Sequence, residues 1–105
     1  MAIYELRTYT FYVGTRVEGF EYYKSTVWPV VEKYKANLVG YFLGDIGALN
    51  ELVHIWKFDD DNDRRAFWGK VQTDQEFLAV AKDLRAFIQK QENKLLLEAP
   101  WGPHP

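Results

Sequence analysis

Leu52-Val53-His54-Ile55-Trp56-Lys57-Phe58 is the stretch from which the fold is read. Its residues are β-branched, aromatic or apolar, and they alternate. A strand sends successive side chains to opposite faces. His54, Trp56 and Phe58 therefore share one face, and Val53, Ile55 and Lys57 share the other. The same reading applies at the other end of the chain. Ile3 to Phe11 is rich in Tyr, Thr, Ile and Leu and reads as a strand. Tyr4, Leu6, Thr8 and Thr10 fall on one side of it, and Ile3, Glu5, Arg7 and Tyr9 on the other. Leu38 to Gly44 reads as a further strand, followed by a loop over Asp45 to Asn50. Lys94 to Glu98 reads as the last strand.

Helical patterns separate these strands. Thr15-Arg16-Val17-Glu18 has the form of a capping box. Val17, Phe20, Val27, Val31 and Tyr34 then recur at helical spacing. Pro29 lies inside this pattern. It removes one backbone hydrogen bond and crowds the preceding turn, so a kink is expected near Tyr23 to Val27. Asn37 is a candidate left-handed terminator. The acidic run Asp59 to Asp63 suits the start of a helix, and it lacks the spaced ligands of a calcium loop. Ala66, Phe67, Lys70 and Val71 form a short helical face. Thr73-Asp74-Gln75-Glu76 is a second capping-box pattern. It opens a helix whose core face is Phe77, Val80, Ala81, Leu84, Phe87 and Ile88.

The order is β-α-β-β-α-β, with the second helix broken near Thr73. Right-handed crossovers give a ferredoxin-like α+β fold, an antiparallel sheet with helices on one face. Residues 1–105 form a single domain. The other sheet face is expected to carry Glu5, Arg7, Tyr9, His54, Trp56 and Phe58. An aromatic patch of that kind is not left in water, and a two-fold homodimer is the commonest way to cover it. Aromatic residues make up 17% of the chain and four of them are Trp, which fits both a packed core and such a surplus.

Composition excludes several classes. Thirteen Lys and Arg stand against fifteen Asp and Glu, for a net charge of -2. No run of basic residues exceeds Arg64-Arg65, whereas a nucleic-acid binder usually shows a basic face, so no nucleic-acid partner is expected. With no Cys there is no disulfide, thiolate nucleophile or Cys-based metal site. No apolar stretch approaches the ~20 residues of a membrane span. The first residues lack the pattern of a secretory signal, so a soluble cytoplasmic protein is the expectation.

Tyr4-Glu5-Leu6-Arg7-Thr8-Tyr9-Thr10, Val39-Gly40-Tyr41-Phe42, Ile46-Gly47-Ala48-Leu49-Asn50, Val53-His54-Ile55-Trp56 and Gln91-Glu92-Asn93-Lys94 resemble, in that order, the NIPSNAP domain. The resemblance runs from Ile3 to about Pro100. It implies the dimeric α+β barrel superfamily, in a short single-domain bacterial form. Relatives in that superfamily include cofactor-independent monooxygenases, muconolactone isomerases, haem-handling enzymes and binding proteins. The NIPSNAP family itself has no settled chemistry, so the resemblance informs the fold more than the function.

His54 and Arg7 are the candidate catalytic residues. His54 is the only His outside the tail, with an unperturbed pKa that suits proton transfer, and Glu5 or another carboxylate is a candidate to orient it. The alternative is a hydrogen-bonded structural His. Arg7 suits a bidentate grip on a ligand carboxylate or enolate oxygen, or an ion pair with Glu5. Glu5, Tyr9, Trp28, Tyr41 and Trp56 are candidate substrate-binding residues, the aromatic ones being equally suited to core packing. A single His without Cys does not make a metal site, and no cofactor is expected. Two functions compete. One is binding of a small apolar or aromatic molecule in a cleft between sheet and helices of a homodimer, with cofactor-independent isomerase or monooxygenase chemistry. The other is a ligand-binding or protein-interaction module without turnover. The Trp101 tail is expected to pack as a turn, within reach of a partner subunit.

Overall fold

Strand β1, Ile3–Phe11, sits in the middle of the sheet and pairs antiparallel with β3, Glu51–Phe58, on one side and with β4, Ile88–Leu97, on the other. Strand β2, Leu38–Leu43, pairs with the outer edge of β3. The order β2-β3-β1-β4 in this computed structural model, which describes residues 1–105, is the ferredoxin-like order, and the fold is α+β. Arg7 and His54 lie directly opposite one another across the two central strands.

The helical layer begins with α1, Arg16–Tyr22. A π turn follows at Tyr23–Val27, then α2, Trp28–Val31, and a 3-10 segment, Glu32–Asn37. Pro29 lacks the N–H an α-helix needs at that place, and the wider turn just before it absorbs the mismatch. The kink expected from the sequence is this π turn. After β3 come α3, Asp61–Gln72, and α4, Gln75–Leu84, with a break at Thr73 and Asp74. Asp60 caps α3 by accepting the Asp63 backbone N–H at 2.8 Å. Asp74 caps α4 by accepting from Glu76 and Phe77.

The helices cover the opposite sheet face from the one the sequence suggested. Tyr9, Phe11, Leu52, Trp56 and Phe58 are buried against Tyr23, Val27, Val31 and Leu84 of the helical layer. Alternation determines which residues share a face. It does not say which face the crossovers cover, and here both faces carry apolar residues. The bulkier set lies inside, where it removes the most surface from water. The uncovered face carries Leu6, Thr8, Val53 and Ile55, each only part-buried, and Phe42, which is exposed. Tyr4 also lies on that side. Its hydroxyl donates to the Pro105 carbonyl at 2.9 Å, and Lys57 Nζ donates to the same oxygen at 3.0 Å. The end of the tail thus lies on the chain's own sheet, while Trp101 remains exposed.

Several local expectations shift. The helical pattern in the second half stops at Leu84. Phe87 closes a 3-10 turn and Ile88 already begins β4, which is twice the expected length of that strand. Thr15 flanks α1 but donates to the Tyr12 carbonyl instead of capping. Thr73 donates back to Gly69 and Lys70 at the end of α3. Asn37 is not left-handed, since no residue other than Gly has positive φ; its side chain donates to the Lys57 carbonyl.

Gly19 sets how closely α1 approaches the sheet. A Cβ there would stand 2.5 Å from Phe11 Cε2, and Phe11 is fully buried. Gly19→Ala should therefore destabilise the fold by about 1–3 kcal/mol, the range for overpacking a core. Urea unfolding measures this, and an alanine variant as stable as the parent would show that α1 can lift from the sheet freely.

Candidate functional site

Glu5 is the first element of the site because a buried carboxylate must be satisfied. It is 1% exposed. Oε2 accepts from Arg7 Nη1 at 2.8 Å. Oε1 accepts from Arg64 Nη1 at 3.1 Å and from Trp68 Nε1 at 3.0 Å, both on α3. The Arg7 guanidinium lies 4.3 Å from the centre of the Trp68 ring, and Arg7 Nη2 donates to the Tyr9 hydroxyl at 3.4 Å. Arg7 Nε is buried without a partner.

His54 is 3% exposed. Tyr41 stacks on its ring at 5.2 Å, and Tyr9 meets it edge-on at 4.9 Å. No carboxylate orients it: Trp56 Nε1 donates to His54 Nδ1 at 2.7 Å. The two residues are two apart on one strand, so they share the inner face. An indole nitrogen only donates, so Nδ1 is an acceptor and the proton of the neutral ring sits on Nε2. Nε2 is buried and has no partner. Burial, with a further contribution from the Arg7 charge, pulls the His54 pKa down to about 3.

A cavity of 210 Å³ lies between the sheet and the α3–α4 layer. Arg7, Tyr9, His54 and Trp56 line it, together with Tyr23 and Trp68. A second, more open groove of 460 Å³ runs between α1 and the β2 edge, lined by Phe20, Tyr23, Trp28, Tyr41 and Leu52 among others. The residues singled out from the sequence are thus divided. Arg7, Tyr9, His54 and Trp56 meet in the cavity. Trp28 and Tyr41 line the groove, edge to face at 5.6 Å. Glu5 lines neither and lies behind Arg7. Tyr23 belongs to both spaces, and its hydroxyl is 2.6 Å from that of Tyr41. Burial pushes the pKa values of both phenols up, so both are neutral hydroxyls.

Tyr23, Arg64 and Trp68 were not singled out as site residues from the sequence. Tyr23 flanks the helical stripe and turns inward at the π turn. Trp68 and Arg64 share the exposed-looking side of a short helix, and only the buried carboxylate on β1 explains their position. The available signal was the spacing of Arg64 and Trp68, four apart and so on one helix face.

The buried ring gives the fold a defined response to acid. Unfolded, His54 takes up a proton below its ordinary pKa near ~6.5; folded, it resists until about 3. The unfolded state therefore binds more protons in that window. The stability His54 contributes is fully present above pH ~6.5 and is lost as pH falls toward 3. Between pH 7.5 and 5 the parent should lose about 2 kcal/mol more than His54→Gln. Urea unfolding of both proteins at both pH values measures this, and equal losses would mean that the ring is not buried as a neutral group.

The comparisons with known proteins agree with this architecture. The sequence model of the NIPSNAP family matches residues 4–103. Mouse NipSnap homolog 3B is 31% identical over 101 residues, covering 93% of this chain and 40% of that protein. The chain thus spans about two fifths of the length of the curated relatives it matches. A crystal structure of a NIPSNAP family protein from Agrobacterium tumefaciens superposes with a TM-score of 0.90 at 30% identity, covering 98% of both chains. SnoaB, a cofactor-independent oxygenase from Streptomyces nogalater, superposes with a TM-score of 0.65 at 19% identity over 98% of both chains, a likeness that concerns the fold alone. On the family match over nearly its whole length, the chain belongs to the NIPSNAP family.

Proposed function

We propose that the protein binds a small apolar or aromatic molecule in the cavity between sheet and helices, with Arg7 and His54 at the reacting or recognised end. The observation that carries this reading is the cavity itself. It is walled by aromatic rings, yet two of the residues that line it carry buried donors without partners, His54 Nε2 and Arg7 Nε. Native interiors rarely leave such groups unpaired, because each costs about 1–3 kcal/mol. A ligand oxygen satisfies both. At 210 Å³ the cavity exceeds the ~150 Å³ that takes a benzene ring. Cofactor-independent isomerisation or oxygenation both pass through an enolate or phenolate, and Arg7 is suited to hold that oxygen.

The second reading is a ligand-binding or interaction module without turnover. It is favoured by the absence of a free carboxylate in the cavity: Glu5 is fully engaged by Arg7, Arg64 and Trp68. A thermal-shift screen with aromatic acids, quinones and haem, followed by mass spectrometry for product, separates the two. Under the first reading Arg7→Ala and His54→Ala should each lower turnover of any substrate found at least 100-fold while the circular dichroism spectrum is kept. Intact turnover in both would remove these roles. Binding without product supports the second.

The uncovered sheet face supports self-association. Leu6, Val53, Ile55 and Phe42 form an apolar strip with no helix over it, and a second copy packed through this face closes a two-sheet barrel. Sedimentation should give a species of twice 12.4 kDa. Ile55→Glu should yield a folded monomer. Phe58→Glu, at 1% exposure under the helices, should disrupt folding itself. A stable parent monomer at micromolar concentration would reject the dimer.

A further inference from the structure

We infer that Trp56 is a positioning residue: its indole N–H locks His54 in the Nε2–H form, so that His54 and Arg7 together receive an ionised oxygen on a one-ring planar ligand. This deepens the binding reading above and rests on it. The lock follows from the 2.7 Å bond from Trp56 Nε1 to His54 Nδ1. A base needs a free lone pair facing the substrate. Nδ1 has spent its lone pair on the indole, and Nε2 already carries the proton. What the ring offers the cavity is a neutral N–H donor.

Charge decides the oxygen's form. Glu5 is shared by Arg7 and Arg64, and Asp61 by Arg64 and Arg65. Arg65 and Asp61 are open to solvent, so away from water two guanidinium groups, those of Arg7 and Arg64, share the one Glu5 carboxylate. No carboxylate lines the cavity. Its remaining titratable groups are Tyr9, Tyr23, Tyr34 and Arg85, and Arg85 adds further positive charge. An uncompensated guanidinium in a site of low dielectric favours an anion over a neutral isostere. Size limits the ligand to about one ring with its substituents, and the Tyr9, Trp56 and Trp68 rings favour a flat one. Carboxylate, phenolate and enolate share this chemistry.

Two measurements on the intact protein test this. Long-range ¹⁵N–¹H correlation spectra of the His54 ring at pH 7.5 should show the Nε2–H tautomer. Trp56→Phe should turn that into a mixture of tautomers. Because the parent spectrum alone identifies the tautomer, a Trp56→Phe protein that failed to fold would leave the test decisive. An Nδ1–H or doubly protonated ring in the parent overturns the lock. Isothermal titration should show benzoate binding at least tenfold tighter than benzamide, with that preference lost in Arg7→Gln. Saturating benzoate should slow solvent exchange of the His54 Nε2 proton. Equal binding of the two probes overturns the anion class. If neither binds at millimolar concentration, the cavity as a ligand site falls, and the proposed function falls with it. Benzoate bound beside a wrong tautomer overturns only the role given to Trp56.

Discussion

The Glu5 carboxylate is the constraint on which the site depends. A charge at 1% exposure is tolerable only when every lone pair has a partner, and here the partners come from two layers. Arg7 is a neighbour on the same strand. Arg64 and Trp68 reach down from α3. Removing one member of such a buried arrangement typically costs about 3–5 kcal/mol, so the carboxylate binds α3 to the sheet in one rotational setting. That setting places the Trp68 ring under the Arg7 guanidinium at 4.3 Å. With one face of Arg7 on indole and Nη1 on Glu5, Nε is the edge that is left over. The unpartnered donor is thus a by-product of how the charge is buried.

The same inner face explains the other half of the site. Arg7 and His54 are cross-strand partners, and Trp56 follows His54 by two residues. Antiparallel pairing therefore puts cation, imidazole and indole in one row, which here lies beneath the helices. The shared row is legible in the sequence, because it needs only the period of two and the pairing of the central strands; its place beneath the helices is not. Tyr23 was a different matter. Its inward turn depends on the π turn that precedes Pro29, where one extra residue per turn rotates the following helix relative to the preceding one. A kink can be foreseen from the proline. The phase change it imposes on each side chain cannot. Arg64 and Trp68 were hidden for another reason: their purpose is visible only once α3 lies over Glu5.

Which sheet face the helices cover is not fixed by alternation, and the reason is physical. On β1 and β3 both faces carry apolar side chains. Tyr4, Leu6, Val53 and Ile55 are plausible core residues by composition alone. What distinguishes the inner set is bulk at its ends, Phe11 and Phe58, which the helical layer encloses completely. Gly19 allows α1 to come down onto Phe11, a pairing of small and large residues that identifies the covered face. The capping boxes misled in a smaller way. At Thr73 and Asp74 either side chain suits a cap, and the carboxylate takes the role because Lys33 and the Tyr34 hydroxyl also converge on it. Those contacts hold the Asp74 pKa down at about 2.

Two spaces share Tyr23 in their walls, and they differ in how far water is excluded from their polar groups. The groove between α1 and β2 is larger, but it is open and its walls are mainly apolar. The cavity is smaller, and two of the residues that line it, His54 and Arg7, each carry a buried donor without a partner. The contrast matters because a hydrogen bond to an anion gains strength as water is excluded. In the groove a polar ligand would compete with solvent at every contact. In the cavity wall His54 Nε2 and Arg7 Nε are already out of water, so the ligand oxygen of the proposed function would bond donors that need no further desolvation. Under the proposed binding role, selectivity for an oxygen-bearing ring arises from the same burial that holds the imidazole neutral.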